Sequence, residues 1–353
     1  MLNFGLLDVH DLYMSRCLQL AELGSGSVAP NPMVGALLVH EGRVIGEGYH
    51  RQYGQAHAEV NCINSVPEPL QHLISKSTLY VSLEPCNHFG QTPPCTDLII
   101  KKAIPEVIIA CRDSFEKVNG TGIQKLKDAG VNVIVGVLEK EAKELNRRFF
   151  CFHQEQRPYI ILKWAQANDG KIANADRSPV RISNELTDRL VHKWRSEEAA
   201  IMVGTQTALH DNPSLTTRLW PGKDPVRIVI DKYLKLPVSL NLFDGKAQTI
   251  ILNTVKQEED GSNTYYKIAG EEDVVAVTLN LLHQRNLTSL IVEGGATLIQ
   301  SFIDAGCWDE ARVITNKNLQ IENGIGAPVL KGAILFKKEQ LISDELCFYK
   351  PIS

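Results

Sequence analysis

Pro85-Cys86-Asn87-His88-Phe89-Gly90-Gln91-Thr92-Pro93-Pro94-Cys95, read together with His57-Ala58-Glu59 upstream, carries the chemistry of the first half of this chain. Two thiolates and one neutral imidazole bring two negative charges. They neutralise a zinc ion and leave one tetrahedral position for water, the ligand set of a catalytic site. Cys86 and Cys95 each follow a proline, so both are expected to open helices, where the dipole favours the thiolate. Glu59, a carboxylate outside the ligand set, can carry a proton from the activated water to a departing amine. Residues two apart on a helix point about 200° away from each other, so His57 and Glu59 converge only at a helix N-terminus. His88 is the available fourth ligand, and its participation would make the site a structural one.

Around this stretch, strand and helix patterns alternate. Asp8 to Leu23 has helical spacing and ends at Gly24-Ser25-Gly26, and strands are expected at 34–39, 43–49, 78–83, 107–111 and 131–137. Helices are expected at 57–64, 95–103, 122–129 and 139–149. That order describes a three-layer α/β domain. Polarity rises at Gln154-Glu155-Gln156-Arg157-Pro158, so the expected domains are 1–153 and 158–353. In the second, strands are expected at 159–164, 200–203, 226–230, 249–252, 274–277, 289–292 and 312–314, with helices at 185–195, 279–286 and 297–305. No internal repeat links the halves, so they are two different folds.

The 353 residues suit two domains, and 44% hydrophobic residues suffice for sizeable cores. Lys plus Arg number 37 against 41 for Asp plus Glu, a net charge of −4 that marks no dedicated nucleic-acid binder. No apolar run approaches a membrane span and no signal peptide opens the chain, so a cytoplasmic location is expected. The eight cysteines are scattered, unlike a secreted disulfide framework.

Further on, Ser289 to Val292 followed by Glu293-Gly294-Gly295-Ala296-Thr297-Leu298 reads as a buried strand, a Gly-rich turn and a helix start, whose backbone N–H groups can hold a phosphate. It is not the Gly-x-Gly-x-x-Gly of a Rossmann fold. Arg195 also reads as a solvated helix face, Asp211-Asn212-Pro213 as a plain turn, and His50 as an ordinary strand-end histidine.

His57-Ala58-Glu59 with Pro85-Cys86 resembles the cytidine deaminase superfamily of zinc hydrolases. Generic members place the second cysteine three residues after the first, whereas here it lies nine residues on. With that insertion, and with Asn31-Pro32-Met33-Val34-Gly35 and Gly48-Tyr49-His50, the chain resembles the bifunctional deaminase/reductase family of riboflavin biosynthesis. The second half carries the resemblance through Lys163-Trp164-Ala165, Asp169-Gly170, Val203-Gly204-Thr205 with Thr207, Asp211 through Arg218, and Glu293-Gly294-Gly295.

The resemblance implies a cytidine-deaminase-like domain followed by a dihydrofolate-reductase-like α/β domain that uses NADPH, and a homo-oligomer. It places zinc on His57, Cys86 and Cys95, proton transfer on Glu59, and deaminase substrate contacts on Asn31 and His50. NADPH would meet Ala165, Thr207, Asp211 and the turn Gly295, Ala296, Thr297, Leu298, Ile299, Gln300 and Ser301. A small phosphorylated pyrimidine would face Lys163, Ser183, Arg195, Leu215, Arg218 and Glu293, the two arginines suiting its phosphate. Four departures stand out. Gln91 replaces a usual Arg or Lys, Asn87 a usual Ser, Ala167-Asn168 a Ser-Leu pair, and Arg181 a usual Trp. One rival reading, a nucleic-acid-editing zinc deaminase fused to a nucleotide-binding module, predicts a basic surface and the short cysteine step. Another, a zinc-stabilised regulatory protein, predicts a closed four-ligand site.

Overall fold

The computed structural model describes residues 9–89, 93–114 and 120–352. The chain divides into two compact units, Met1–Gln156 and Arg157–Ser353.

The first unit runs α1 (Val9–Glu22), β1 (Gly35–His40), β2 (Arg43–Tyr49), α2 (Ala58–Asn64), β3 (Thr78–Val81), α3 (Cys95–Lys101), β4 (Glu106–Ile109), α4 (Thr121–Asp128), β5 (Asn132–Val135), α5 (Glu139–Leu145) and α6 (Arg147–Gln154). Its sheet has the order β2-β1-β3-β4-β5, antiparallel around β1 and parallel from β3 to β5. Alternation along the strands builds two apolar layers. Ala36, Leu38, Leu79, Val81, Val107 and Ile109 meet Cys62, Ile63, Ile99 and Leu126 of α2, α3 and α4. Leu37, Val39, Tyr80 and Ile108 meet Met14, Cys17, Ala142 and Phe150 of α1, α5 and α6. The three-layer expectation is what the unit displays.

A single helix over 139–149 does not form. It breaks at Asn146, whose side-chain oxygen accepts from the Met33 N–H and whose amide donates to the Met33 carbonyl, both at 2.8 Å. That bond pair ties α5 and α6 to the Asn31-Pro32-Met33 turn, a long-range demand invisible to local periodicity.

The second unit runs β6 (Tyr159–Ala167), β7 (Lys171–Asn174), α7 (Glu185–Glu197), β8 (Ala200–Val203), α8 (Thr205–Asp211), β9 (Val226–Ile230), β10 (Thr249–Asn253), β11 (Glu258–Asp260), β12 (Asn263–Lys267), α9 (Val274–Gln284), β13 (Ser289–Val292), α10 (Ala296–Asp304), β14 (Glu310–Asn316), β15 (Gly324–Gly326), β16 (Ala333–Leu341) and β17 (Asp344–Pro351). One sheet has the order β11-β12-β10-β9-β8-β13-β6-β14-β17-β16, and β15 pairs separately with β7. Strands β12 to β14 in that order are parallel, while β17 and β16 return antiparallel.

Residues 274–277, expected as a strand, instead open α9. Asp273 caps that helix by accepting from the Val275 N–H at 2.9 Å, and Val275, Thr278, Leu281 and Leu282 are buried at helical spacing. Short apolar runs do not separate strand from buried helix on their own. Among the described residues no helix is long and apolar enough to cross a membrane.

Candidate active sites

In the first unit, β2 and α2 set the geometry. At Gly48 a Cβ would lie 2.2 Å from Cys62 N and 2.7 Å from the Ala58 carbonyl, so only glycine lets α2 come this close to the strand. His57 is the N-cap of α2 with extended backbone, and Glu59 lies in the first turn. The condition that the His57–Glu59 spacing imposed is thereby met. His57 Nδ1 is 3.5 Å from Cys86 Sγ and 3.4 Å from Cys95 Sγ, and all three ligating atoms lie within 4.8 Å of one another. The set fits zinc in donor type and spacing. His88 is not part of this group.

Cys95 does open α3, but Cys86 lies in a loop, contrary to the expectation of two helix starts. Its sulfur is served by the neighbouring ligand: the Cys95 N–H reaches it at 3.3 Å. Hydrogen bonding from the Cys95 thiol, then from His57, pulls the Cys86 thiol down to about 4, while the same bond and burial push Cys95 up. The pair is thus set to hold one proton between them, which a metal can replace.

Glu59 is 3% exposed, and burial raises its carboxyl above the usual range. His50, also buried, sits with its ring 5.4 Å from that of His57. The His50 Nδ1 to Ala56 carbonyl distance is 3.1 Å and its Nε2 is 3.2 Å from the Asn31 amide. Asn31 donating to Nε2 fixes the neutral tautomer with the proton on Nδ1, and burial lowers His50 in the same sense. Gln91 lies outside the described residues.

In the second unit Lys163, Arg195 and Glu293, and Thr207 with Gly295, meet near the carboxyl ends of β8, β13 and β6, adjacent in the sheet, where open α/β sheets hold ligands. Glu293, just past β13, accepts from Arg195 Nε at 2.8 Å and Nη2 at 2.7 Å and lies 3.5 Å from Lys163 Nζ. Burial alone would push the Glu293 carboxyl up, but Arg195 and Lys163 outweigh it and hold it at about 2. Arg195 also reaches the Thr216 carbonyl at 3.3 Å, so it is no solvated helix residue. Leu215 next to it is buried. Arg218 is exposed, with no ion pair among the described residues.

The Gly294-Gly295 turn packs on α8. A Cβ at Gly295 would sit 3.2 Å from Thr207 Oγ1, and the Gly204 N–H donates to the Gly294 carbonyl at 2.9 Å. Gly295 is the N-cap of α10, so the N–H groups of Gly295, Ala296, Thr297 and Leu298 are the ones without partners inside the helix. Further along the expected stretch, the Leu298 and Ile299 side chains belong to the core, Gln300 is engaged by Asp304 and the Val329 N–H, and Ser301 donates to the Leu298 carbonyl. Ala165 lies in β6 and Asp211 ends α8. Ser183 donates to Asp188 at 2.6 Å, and Arg181 pairs with the same carboxylate at 3.1 Å.

Three residues escaped the sequence reading. His192, one helical turn before Arg195, is buried, and burial followed by Arg195 and Arg218 lowers it to about 4. Arg227, fully buried inside an apolar strand, donates to Thr249 Oγ1 and to the Asn241 and Ala247 carbonyls, and its Nη1 is 3.4 Å from the Ser214 carbonyl beside Leu215. Glu84, 4% exposed, accepts several backbone N–H bonds in the first unit. The three-residue interval from His192 to Arg195 was a legible signal. Nothing local marks Arg227 or Glu84.

Fold and site together define a class: a zinc-binding hydrolytic deaminase joined in one chain to a reductase. Residues 7–111 match the family described as cytidine and deoxycytidylate deaminase zinc-binding region, and residues 158–316 match the RibD C-terminal domain. The riboflavin biosynthesis protein RibD of Aquifex aeolicus is 37% identical over 96% of this chain and 97% of its own length, and that of Escherichia coli is 30% identical over 96% and 98%. A solved Thermotoga maritima diaminohydroxyphosphoribosylaminopyrimidine deaminase/5-amino-6-(5-phosphoribosylamino)uracil reductase is 34% identical, with a TM-score of 0.89 over 97% of this chain and 99% of that one. The chain belongs to the RibD family, bifunctional deaminase/reductases of riboflavin biosynthesis.

Proposed function

We propose that the first unit hydrolyses one amino group from 2,5-diamino-6-(5-phosphoribosylamino)pyrimidin-4(3H)-one and that the second reduces the ribosyl chain of 5-amino-6-(5-phosphoribosylamino)uracil to ribityl with NADPH. The observation that carries this reading is the meeting of His57, Cys86 and Cys95 beside a buried carboxylate, Glu59, in a chain of this family. His57, Cys86 and Cys95 would hold zinc, which when bound supplies Lewis-acid activation of water. Glu59 takes the proton of that water and delivers it to the leaving amine, and its burial keeps bulk water from competing for the transfer. Neutral His50, with both ring nitrogens engaged, would hold the Asn31 side chain so that its amide oxygen faces the pyrimidine.

In the second unit, NADPH when bound supplies the hydride. Its phosphates would meet the free N–H groups of Gly295 to Leu298, with Thr207, Asp211 and Ala165 lining the rest. Ser183, Leu215, Arg195 and Arg218 would face the ribosyl phosphate. Glu293 keeps Arg195 and Lys163 aligned, and Lys163 would stand near the reacting carbon. The regulatory alternative requires a fourth zinc ligand, and none joins the group among the described residues. The nucleic-acid alternative requires a basic character that a net charge of −4 does not favour.

Incubating the pure protein with the diaminopyrimidine, with and without NADPH, tests the reading. Ammonia release and a deaminated product are expected without NADPH, and the ribityl product only with it. Unchanged starting material in both would refute the assignment. Sedimentation velocity tests the homo-oligomer.

A further inference from the structure

Glu84 stands two residues before Cys86, is 4% exposed, and lies outside the proposed ligand group. A buried carboxylate is costly unless its oxygens are satisfied. Here, among the described residues, the donors are all backbone. Oε2 accepts from the N–H of Asp113 at 3.3 Å and Gly120 at 3.0 Å, and Oε1 from Gly122 at 3.0 Å and Ile123 at 3.2 Å. Three of these donors belong to the cap and first turn of α4, whose N–H groups have no partner within the helix. The carboxylate therefore clamps the N-terminus of α4 onto the strand end that leads into Cys86.

From that helix the restraint continues to the other sulfur. The Thr121 carbonyl accepts from the Asn87 amide at 3.4 Å, and Asn87 Oδ1 accepts from Thr96 Oγ1 at 3.3 Å. Thr96 is fully buried and follows Cys95, and its N–H donates to the Cys86 carbonyl at 3.2 Å. Clearance is minimal, because a Cβ on Gly122 would stand 2.2 Å from the Pro85 carbonyl. The loop carrying Cys86 and the helix start carrying Cys95 are thus both referred to one buried anion.

We propose that Glu84 is a positioning residue for the metal site, holding the Cys86 and Cys95 sulfurs at zinc-binding separation through α4 and Asn87. The inference rests on the ligand assignment proposed above. Glu84→Gln keeps the shape but turns an amide N–H₂ toward two of the four backbone donors.

The test is zinc affinity by chelator competition on the full-length chain. NADPH oxidation by the same sample reports on the second unit, and thermal unfolding at saturating zinc reports on the first. Groups bonded directly to metal ligands typically cost about 10–100-fold in metal affinity when removed, and Glu84, which acts one step further out through α4 and Asn87, belongs at the low end of that range. Glu84→Gln is accordingly expected to weaken zinc at least about tenfold, with deaminase turnover recovering in excess zinc. Leu126→Ala, a core truncation in α4 that leaves the carboxylate in place, sets the loss due to destabilisation alone. Affinity within about twofold of the unsubstituted chain, or no weaker than in Leu126→Ala, would overturn the proposal. If Glu84→Gln does not fold, Asn87→Ala decides: weaker zinc supports the relay, and unchanged zinc refutes it. Failure of the unsubstituted chain to take up zinc would overturn the ligand assignment instead.

Discussion

Glu293→Gln removes one charge from the buried Arg195–Glu293–Lys163 cluster of the second unit. The carboxylate makes two charge-assisted bonds to Arg195, at 2.8 and 2.7 Å, and lies 3.5 Å from Lys163, with only 5% of its side chain exposed. Lowering its pKa from 4.5 to about 2 corresponds to about 3 kcal/mol of preference for the charged form in the folded state. Breaking a buried pair by removing one partner costs about 3–5 kcal/mol, so the two scales agree.

The sign follows from linkage. A carboxylate depressed by folding stabilises fully above its unfolded value, and the contribution is lost as pH falls from about 4.5 towards about 2. All four tryptophans, Trp164, Trp194, Trp220 and Trp308, belong to the second unit, so their fluorescence during urea denaturation isolates its unfolding. Glu293→Gln is expected to lower the stability of that transition by about 3 kcal/mol near neutral pH, with the difference shrinking as pH falls to about 3. A loss under about 1 kcal/mol, or a difference independent of pH, would show that Glu293 is not the charged partner of Arg195 and Lys163.

Glu59→Gln should keep its zinc, measured by metal analysis, and lose about 10²–10⁴-fold in ammonia release, while already deaminated substrate still drives NADPH oxidation. Near-normal ammonia release would remove Glu59 from its role. Asp211→Asn with Arg218→Ala should slow NADPH oxidation by more than about tenfold, from lost charge-assisted bonds of about 1.5–3 kcal/mol, and leave ammonia release intact. Loss of both activities in a folded protein would contradict two separate sites. Gly122→Ala, whose Cβ would meet the Pro85 carbonyl at 2.2 Å, should destabilise the first unit by about 1–3 kcal/mol, seen in its thermal transition, and reduce zinc uptake. An unshifted transition would mean that α4 is free to move away.

Residue types and spacing were enough to nominate the zinc ligands and proton carrier proposed above and to read two different folds in one chain. Those properties rest on local chemistry: a His-Ala-Glu interval, two prolyl-cysteines, and apolar periodicity that repeats every two or about 3.6 residues. The same local reading expected a helix start at Cys86, a strand at 274–277 and one unbroken helix across Asn146. Each failed where a partner distant in sequence intervened, or where a short apolar run was compatible with either element.

Only the tertiary structure decided which buried charges have partners. Arg227 lies within a strand of valines and isoleucines and meets Thr249, Asn241 and Ala247 from later segments. Glu84 precedes Cys86 but is satisfied by backbone groups 29 to 39 residues further on. Glu293 joins Arg195 across 98 residues because β13 carries its end to the start of the Gly-Gly turn, facing α7. Periodicity reports how each segment divides apolar from polar surface. Which donor meets which buried acceptor depends on strand order and helix approach, and those are set by the packing of the whole unit.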